Sequence, residues 1–292
     1  MKLPPPPHQL VDALKTLEGG GFPVRRPFPT NLIHDADPFL LLDHMGPVNW
    51  APREAIGAPD HPHKGFETVT YLLEGEMEHK DSKGHSGRMG PMDLQWMTAG
   101  SGLLHSELPS PQFWERGGVM NGFQIWINLP ASLKNTPPRY QEITKDKIPS
   151  YQNREKTGLV KILAGEQDGI ASPIQTLHQV FIGHLILDPN ATISLSLAPE
   201  DRTLLYVFKG SIIPNEDKTE IREGQMALWN PDSKRPETWL FSGMKEGAEA
   251  LILSSPPIGE PVARYGPFVM NTNQEIREAI EEYRSGKWGD IN

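Results

Sequence analysis

The chain has 292 residues and a formal net charge of −9, with an isoelectric point near 5.6. This acidic balance disfavours direct binding to nucleic acid, and no apolar stretch approaches the roughly 20 residues that a membrane helix needs. Cysteine is absent, which excludes disulfides, thiolate catalysis and cysteine-ligated zinc. Four consecutive prolines near the start occupy the place where a signal peptide needs an apolar segment, so a cytoplasmic location is expected.

The first half of the chain reads as short strands separated by turns. Segments rich in β-branched and aromatic residues end at glycine, proline or polar turn sequences. Near position 125, Phe123, Ile125 and Ile127 recur at every second residue, which indicates a half-buried strand. The predicted elements are a strand at 37–47 closed by a Gly-Pro turn, a strand at 68–75, a hairpin at 76–89 with its turn at 81–84, and strands at 92–100 and 121–130.

The second half repeats this pattern of short strands. Its apolar segments are again brief and regularly spaced, so the fold class predicted for the whole chain is all-β, a sandwich or barrel. These predicted strands are 161–166, 180–187, 191–197, 203–210, 224–230 and 250–255.

One helix is predicted near the end of the chain, at 272–285. Thr272 and Glu275 stand in the register of a capping box, and Gly286 is placed to cap the other end. An apolar stripe at helical spacing follows the capping box, so this helix is expected to pack on a barrel. The stripe consists of Ile276, Ala279, Ile280 and Tyr283.

An internal repeat indicates two related β-domains. The segment YLLEGEM at 71–77 resembles YVFKGSI at 206–212, and GPMDLQW at 90–96 resembles GQMALW at 224–229. The two pairs keep nearly the same offset, 135 and 134 residues, which is hard to obtain by chance. The predicted domains are a metal-binding barrel at 1–135 and a second barrel at 136–292, which lacks metal ligands and carries the helix. The polar, proline-containing stretch at 129–143 is the candidate connection between the two halves.

Two pairs of residues carry the candidate chemistry. His61 and His63 stand two residues apart at the start of a predicted strand, and His105 and Glu107 repeat this spacing. Side chains at i and i+2 of a strand share one face, so strands meeting across a barrel could surround one point with three imidazoles and a carboxylate. This donor set suits Fe, Mn, Ni, Cu or Zn.

Other residues are given less specific roles. A histidine in a strand is more often packed or hydrogen-bonded than metal-bound, and His79 and His85, which flank the polar hairpin, are expected to be solvated. Glu67 lies four residues after His63 and is expected to brace the ligands rather than to bind the metal.

The repeat provides an internal control for the ligand set. Shifting the first half onto the second places Ser196 and Ala198 at the first histidine pair, and Trp239 and Phe241 at the second pair. No histidine or glutamate lies at or next to these positions. The sequence therefore predicts one metal per chain, in the first half.

Several motifs together resemble the pirins, members of the cupin superfamily, over about residues 20–289. This resemblance implies a bicupin, with two antiparallel β-barrels of the jelly-roll type face to face, and one Fe(2+) in the N-terminal barrel. The family's ligand pattern falls on His61, His63, His105 and Glu107. The general cupin signature uses Glu67 instead, and Gly100 takes the place of its proline. The motifs are HPHKGFETVTYLLEG, MTAGSGLLHSE, LLLDHMGP, NLPASLKNTPPRYQ and YGPFVMN.

The resemblance implies a quercetin 2,3-dioxygenase that opens a flavonol-like enol with dioxygen, and Glu107 is the candidate to accept the substrate's hydroxyl proton. An alternative function is an iron-containing, redox-sensitive regulator that binds a transcription factor or a metabolic enzyme. A third alternative is a catalytically silent cupin. Fold resemblance alone does not choose among these three.

Overall fold

The computed structural model describes residues 6–215 and 219–291, and antiparallel strands dominate it. Its helices are α1 (Pro111–Arg116) and α2 (Asn273–Arg284), with single 3₁₀ turns at Ala131–Leu133 and Lys145–Lys147. The strands are β1 (Gln9–Asp12), β2 (Leu14–Glu18), β3 (Phe22–Phe28), β4 (Phe39–Trp50), β5 (Ala58–His63), β6 (Phe66–Glu74), β7 (Met77–Asp81), β8 (Ser86–Met89), β9 (Leu94–Thr98), β10 (Leu103–Pro109), β11 (Gly118–Asn128), β12 (Arg139–Ile143), β13 (Ser150–Gln152), β14 (Gly158–Ala164), β15 (Glu166–Gln167), β16 (Ile170–Ala171), β17 (Phe181–Leu187), β18 (Thr192–Ser196), β19 (Arg202–Pro214), β20 (Ile221–Arg222), β21 (Gln225–Trp229), β22 (Thr238–Ser255), β23 (Ala263–Tyr265) and β24 (Phe268–Met270).

The chain forms two compact units that interleave in sequence. Of the described residues, the first-half unit comprises 15–29, 33–145 and 258–291. The second-half unit comprises 6–14, 30–32, 146–215 and 219–257. The sequence predicted a single division at 135, with the helix in the second domain. The structure instead places α2 with the first-half unit, and β1 pairs with β21 in the second-half unit.

The first-half unit consists mainly of two sheets. One has the order β12-β9-β6-β11-β4-β3-β2 and the other the order β5-β10-β7-β8. Neither sheet closes on itself through hydrogen bonds, so the predicted barrel is an open two-sheet jelly roll of the cupin type. The predicted all-β class and cupin fold are confirmed.

Alternation along β11 separates a buried face from a face that lines a cavity. Phe123, Ile125 and Ile127 are fully buried, as the period of two predicts. Gln124 and Trp126 lie on the other face and line a cavity. The same strand therefore supplies packing on one side and a site wall on the other.

Two predicted boundaries in the first half are wrong. The strand predicted at 37–47 does not stop at its Gly-Pro pair, because β4 continues to Trp50 with a register shift against β11 at Met120 and Gly122. Residues 129–143 were expected to connect the two domains. They instead include β12, which pairs with β9 inside the first-half unit.

The second-half unit is built on two long strands. β19 pairs with β22 through register shifts, and such shifts let long strands bend around a core. That core contains Trp229, Trp239 and Phe241, each at most 1% exposed. Aromatic side chains of this size bury the most area per residue, so they account for much of the unit's packing.

The predicted terminal helix and its capping box are confirmed. The Thr272 hydroxyl accepts a hydrogen bond from the Glu275 backbone amide, and the Glu275 carboxylate accepts one from the Thr272 backbone amide. The C-cap is Ser285, and Gly286 follows it with a φ of 72°. In the described ranges, neither this helix nor any other is long and apolar enough to cross a membrane.

Candidate metal centre

The first three candidate ligands lie on two paired strands. β5 and β10 are antiparallel neighbours, with His105 opposite His61 and Leu103 opposite His63. The two histidines of β5 share a face because they are two residues apart, and cross-strand pairing brings His105 beside them. The pairs meet on adjacent strands, whereas the sequence predicted strands meeting across a barrel.

The three imidazoles form a tight cluster. One ligand nitrogen from each of His61, His63 and His105 lies within 4.8 Å of the others. The ring centroids are 4.4–4.9 Å apart. Among the residues that the structure describes, no other group of histidine, aspartate or glutamate side chains converges in this way.

The protonation state of the two buried histidines favours metal binding. Burial, together with the neighbouring imidazoles, holds the pKa of His63 and of His105 well below the usual range. Neutral imidazole is the form that binds a metal. At His61, Nδ1 donates to the Pro59 carbonyl at 2.7 Å, so Nε2 is the nitrogen available to a ligand.

Unpartnered buried nitrogens test whether the cluster fits a metal. His63 Nδ1 and both ring nitrogens of His105 are buried and have no hydrogen-bond partner among the described residues. Buried polar atoms are normally paired, and an unpaired one costs about 1–3 kcal/mol. A divalent transition metal coordinated by the cluster would offset this cost, so the residues present fit such an ion.

Glu107 lies beside the histidine cluster but is not one of its converging members. The register of β10 against β5 shifts between His105 and Glu107, and Glu107 Oε2 lies 3.9 Å from His105 Nε2. Its other oxygen, Oε1, accepts a hydrogen bond from the Thr70 hydroxyl at 2.9 Å, and that hydroxyl accepts one from Gln124 at 2.9 Å. This chain of contacts fixes the carboxylate next to the three imidazoles.

Glu67 lies outside the cluster. Its Oε1 accepts a hydrogen bond from the Thr98 hydroxyl at 2.6 Å, and burial raises the pKa of its carboxyl group. Glu67 lies on β6, and its cross-strand neighbours are Thr98 on β9 and Ile127 on β11. Neither of these strands carries a histidine of the cluster. None of its described hydrogen bonds reaches a histidine of the cluster.

Each of the remaining buried histidines makes at least one hydrogen bond, but one of them was misjudged from sequence. His79 was expected to be solvated, yet it is only 4% exposed, stacks on Tyr140 and bonds to Glu142 at 2.7 Å. Packing of β12 beside the hairpin covers it, which the sequence of the hairpin alone did not indicate. His44 and His184 are hydrogen-bonded to Asn121 and Glu249.

A cavity of about 460 Å³ opens over the cluster and contains residues that the sequence did not single out. Trp126 meets His63 edge-on at 5.3 Å between ring centroids, and Arg264 lies over the Trp126 ring. The sequence did contain a signal for Trp126, because the alternation along β11 places this large aromatic side chain where a polar one is usual. Nothing local marked Arg264, which lies about 200 residues further along the chain from His63.

The second-half unit has different side chains where the repeat aligns with the ligands. Trp239 and Phe241, which align with His105 and Glu107, are fully buried in the core. Ser196 and Ala198, which align with the histidine pair of β5, line a separate cavity of this unit. Aromatic packing thus occupies half of the aligned ligand positions.

Comparison with known proteins points to one family throughout the chain. A family model described as Pirin matches residues 21–127, and a model described as Pirin C-terminal cupin domain matches residues 182–289. Pirin-like protein 2 of Arabidopsis thaliana is 38% identical over 93% of this chain and 82% of its own length. Human pirin is 37% identical over 93% of this chain and 90% of its own length.

A solved structure shows the same fold along the full length. The crystal structure of quercetin 2,3-dioxygenase from Acinetobacter baumannii superposes with a TM-score of 0.92 and covers 100% of both chains. Its sequence is 34% identical to this one. This similarity extends over both units.

Proposed function

Because the chain belongs to the pirin family of cupin proteins, we propose that it is a metal-dependent dioxygenase of the quercetin 2,3-dioxygenase type. The proposed substrate is a flavonol-like enol, and its reaction with dioxygen opens the ring. The proposed ligands are His61, His63, His105 and Glu107, and Fe(2+) is the proposed metal.

The observation that carries this proposal is the cluster of three imidazoles beneath an open cavity, with unpartnered nitrogens on the two buried histidines, His63 and His105. A site used only for packing would gain nothing from leaving polar atoms unpaired. The full-length similarity to a protein described as quercetin 2,3-dioxygenase supports the reaction class. Nitrogen and carboxylate ligands also suit Mn, Ni, Cu and Zn, so iron rests on the family resemblance.

When bound, the metal would supply Lewis acidity toward the enol oxygen and open positions for the two reactants. The chain's own residues orient the site. Three imidazoles on two paired strands converge within 4.8 Å, and Thr70 donates to one oxygen of Glu107. The other oxygen, Oε2, is then free to complete the ligand set or to accept the hydroxyl proton of the substrate.

Metal content and oxygen uptake test the proposal. Purified protein should be stripped with a chelator and reloaded separately with Fe(2+), Mn(2+), Ni(2+), Cu(2+) and Zn(2+). The expected result is one metal per chain by elemental analysis, and flavonol loss coupled to oxygen consumption and carbon monoxide release. Stoichiometric metal binding with no oxygen consumption on any enol would contradict the dioxygenase and favour the regulator.

Variants assign the ligands. His63→Ala and His105→Ala should lose most of the bound metal, whereas His34→Ala should keep it, because His34 is exposed and outside the cluster. Glu67→Gln should also keep the metal. Retention of metal by both cluster variants would refute the assigned site.

Glu107→Gln separates the proposed proton acceptor from a purely structural residue. It should lower kcat by about 100-fold or more, since a positioned base typically contributes 10²–10⁴-fold to a rate. Full turnover with a full complement of metal would exclude Glu107 as the base.

A further inference from the structure

Arg264 is a cation in the wall of the candidate metal cavity. It lies at the middle of β23, and the β23–β24 hairpin joins the site through a bridge between Lys64 and Phe268. Its guanidinium stacks over the Trp126 ring, with Cζ 4.9 Å from the ring centroid. The hairpin thus adds a charged group to a cavity whose other walls come from residues 18–126.

The other arginine of the cavity is already neutralised. Arg26 donates to both carboxylate oxygens of Asp43, at 2.7 and 2.6 Å, and it also donates to Glu18. An arginine held in this way by two carboxylates has little capacity left for a ligand.

Arg264 differs from Arg26 in its partners. Among the contacts of the described residues, its guanidinium makes one hydrogen bond, to the Leu40 carbonyl at 3.1 Å, and no ion pair. Glu18 and Asp43 attract it only from a distance and are shared with Arg26. Guanidinium has five N–H donors, so most of those of Arg264 remain for a ligand.

The permanent charge of Arg264 favours an anionic partner. Its side chain is exposed and lines the cavity, and a guanidinium stays charged throughout the physiological range. A ligand seated in the cavity would withdraw part of the guanidinium from water, and a partly desolvated ion pair is stronger than a fully hydrated one. The fork of N–H groups matches the two oxygens of a carboxylate in particular.

The distance to the histidine cluster limits the ligand. Arg264 Cζ lies 4.9 Å from the Trp126 ring centroid, which lies 5.3 Å from the His63 ring centroid. The Arg264 guanidinium and the His63 ring are therefore at most about 10 Å apart. A two- or three-ring aromatic molecule spans this distance. One end can therefore approach the cluster while the other end contacts Arg264.

We infer that Arg264 determines substrate specificity by binding a carboxylate at the end of the substrate remote from the reacting enol. The substrate class is then a carboxylated aromatic enol. The identity of the reacting end rests on the proposed function, but recognition of the carboxylate does not depend on turnover.

Calorimetric binding of two matched ligands tests the inference. The ligands are 3-hydroxyflavone and its 4′-carboxylate, titrated into the metal-loaded protein without oxygen and into the chelator-treated protein. In both states, wild type should bind the carboxylate at least about tenfold more tightly than the parent, as expected for a hydrogen-bonded charge pair. Arg264→Gln should remove this preference and leave the affinity for the parent unchanged, and Arg264→Lys should retain part of it.

Arg53→Gln is the matched control. Arg53 is likewise exposed and stacks on an indole, that of Trp114, but it lies outside the cavity. It should leave both affinities unchanged. Equal binding of the two ligands by wild type, or an equal loss for both in Arg264→Gln, would overturn the inference.

The two proposals fail in different ways. A carboxylate preference without oxygen consumption would refute the dioxygenase and keep the role of Arg264. Oxygen consumption without a carboxylate preference would refute the role of Arg264 alone.

Discussion

At the scale of single residues, Gly100 explains the departure from the general cupin signature. Its φ is +47°, a value that proline cannot adopt, and a Cβ at this position would lie 2.0 Å from the Thr136 carbonyl oxygen. The turn before β10 therefore requires glycine here. Since β10 carries His105, the departure preserves the site.

Gly100→Ala tests this requirement. The left-handed backbone and the clash with backbone should together lower the free energy of unfolding by about 2–4 kcal/mol. Gly84→Ala is the control, because Gly84 also has a positive φ but a Cβ there would meet no atom of the described residues within 4 Å, so only about 1 kcal/mol is expected. Urea denaturation measures both, and equal losses would show that the contact with Thr136 contributes nothing.

His44 should make stability depend on pH. It is 1% exposed, bonds to Asn121 at 2.9 Å, and burial lowers its pKa to about 4. Between about pH 6.5 and 4 the unfolded state binds a proton that the native state does not, so the free energy of unfolding falls as the pH is lowered through this window.

His44→Gln should flatten that decline. The difference between the wild-type and variant curves should reach at most about 3 kcal/mol at pH 4, because one pKa unit corresponds to 1.36 kcal/mol. Denaturation at a series of pH values measures the effect, with the exposed His34→Gln as the control. Parallel curves for His44→Gln and wild type would contradict the assignment.

At the scale of elements, strand parity predicted the face but not the neighbour. A period of two is enough to place His61 and His63 on one side of a strand. Only the pairing of β5 with β10 brings His105 opposite His61 and near His63, and that pairing joins segments about 40 residues apart. The local sequence contains no signal for which strand will be the neighbour.

Lys134 connects three elements behind the candidate site. It is 1% exposed, and its ammonium group donates to the Gly65 carbonyl after β5, to Asn128 at the end of β11 and to the Val269 carbonyl of β24. If the Lys134 ammonium group were absent, each of these buried acceptors would lose the hydrogen bond that it donates.

Lys134→Met keeps the length of the side chain and removes the donors. It should lower the free energy of unfolding by about 3 kcal/mol, the scale of a broken buried network. Lys145→Met, at an exposed position, should change it by less than about 0.5 kcal/mol. A loss of similar size in both variants, measured by urea denaturation, would show that the buried network is unimportant.

At the scale of the whole molecule, the two halves exchange their ends. β1 completes the sheet of the second-half unit, and the segment from residue 258 completes the first-half unit. The repeat in sequence revealed two related halves but placed the boundary at 135. Terminal strands and helices have no local feature that identifies the sheet on which they pack.

We propose that residues 15–145 cannot fold without the C-terminal segment. The cluster of Phe268, Met270, Ile276, Ala279 and Trp288 packs against Leu104 of β10, and β24 accepts the Lys134 hydrogen bond. Expressed alone, fragment 15–145 should show no cooperative thermal transition by circular dichroism. The same fragment joined by a Gly/Ser linker to residues 258–292 should regain one, and a cooperative transition in the shorter fragment would refute the proposal.

The sequence by itself determined the all-β class, the cupin family, the capped terminal helix and the three histidines that converge, because periodicity and short motifs are local properties. Only the tertiary structure decided that Glu67 points to Thr98, that Glu107 lies beside the cluster, and that Trp126 and Arg264 share the cavity. These facts depend on strand register and on contacts between residues far apart in the chain. Such contacts are set by the packing of the whole unit, which no window of sequence contains.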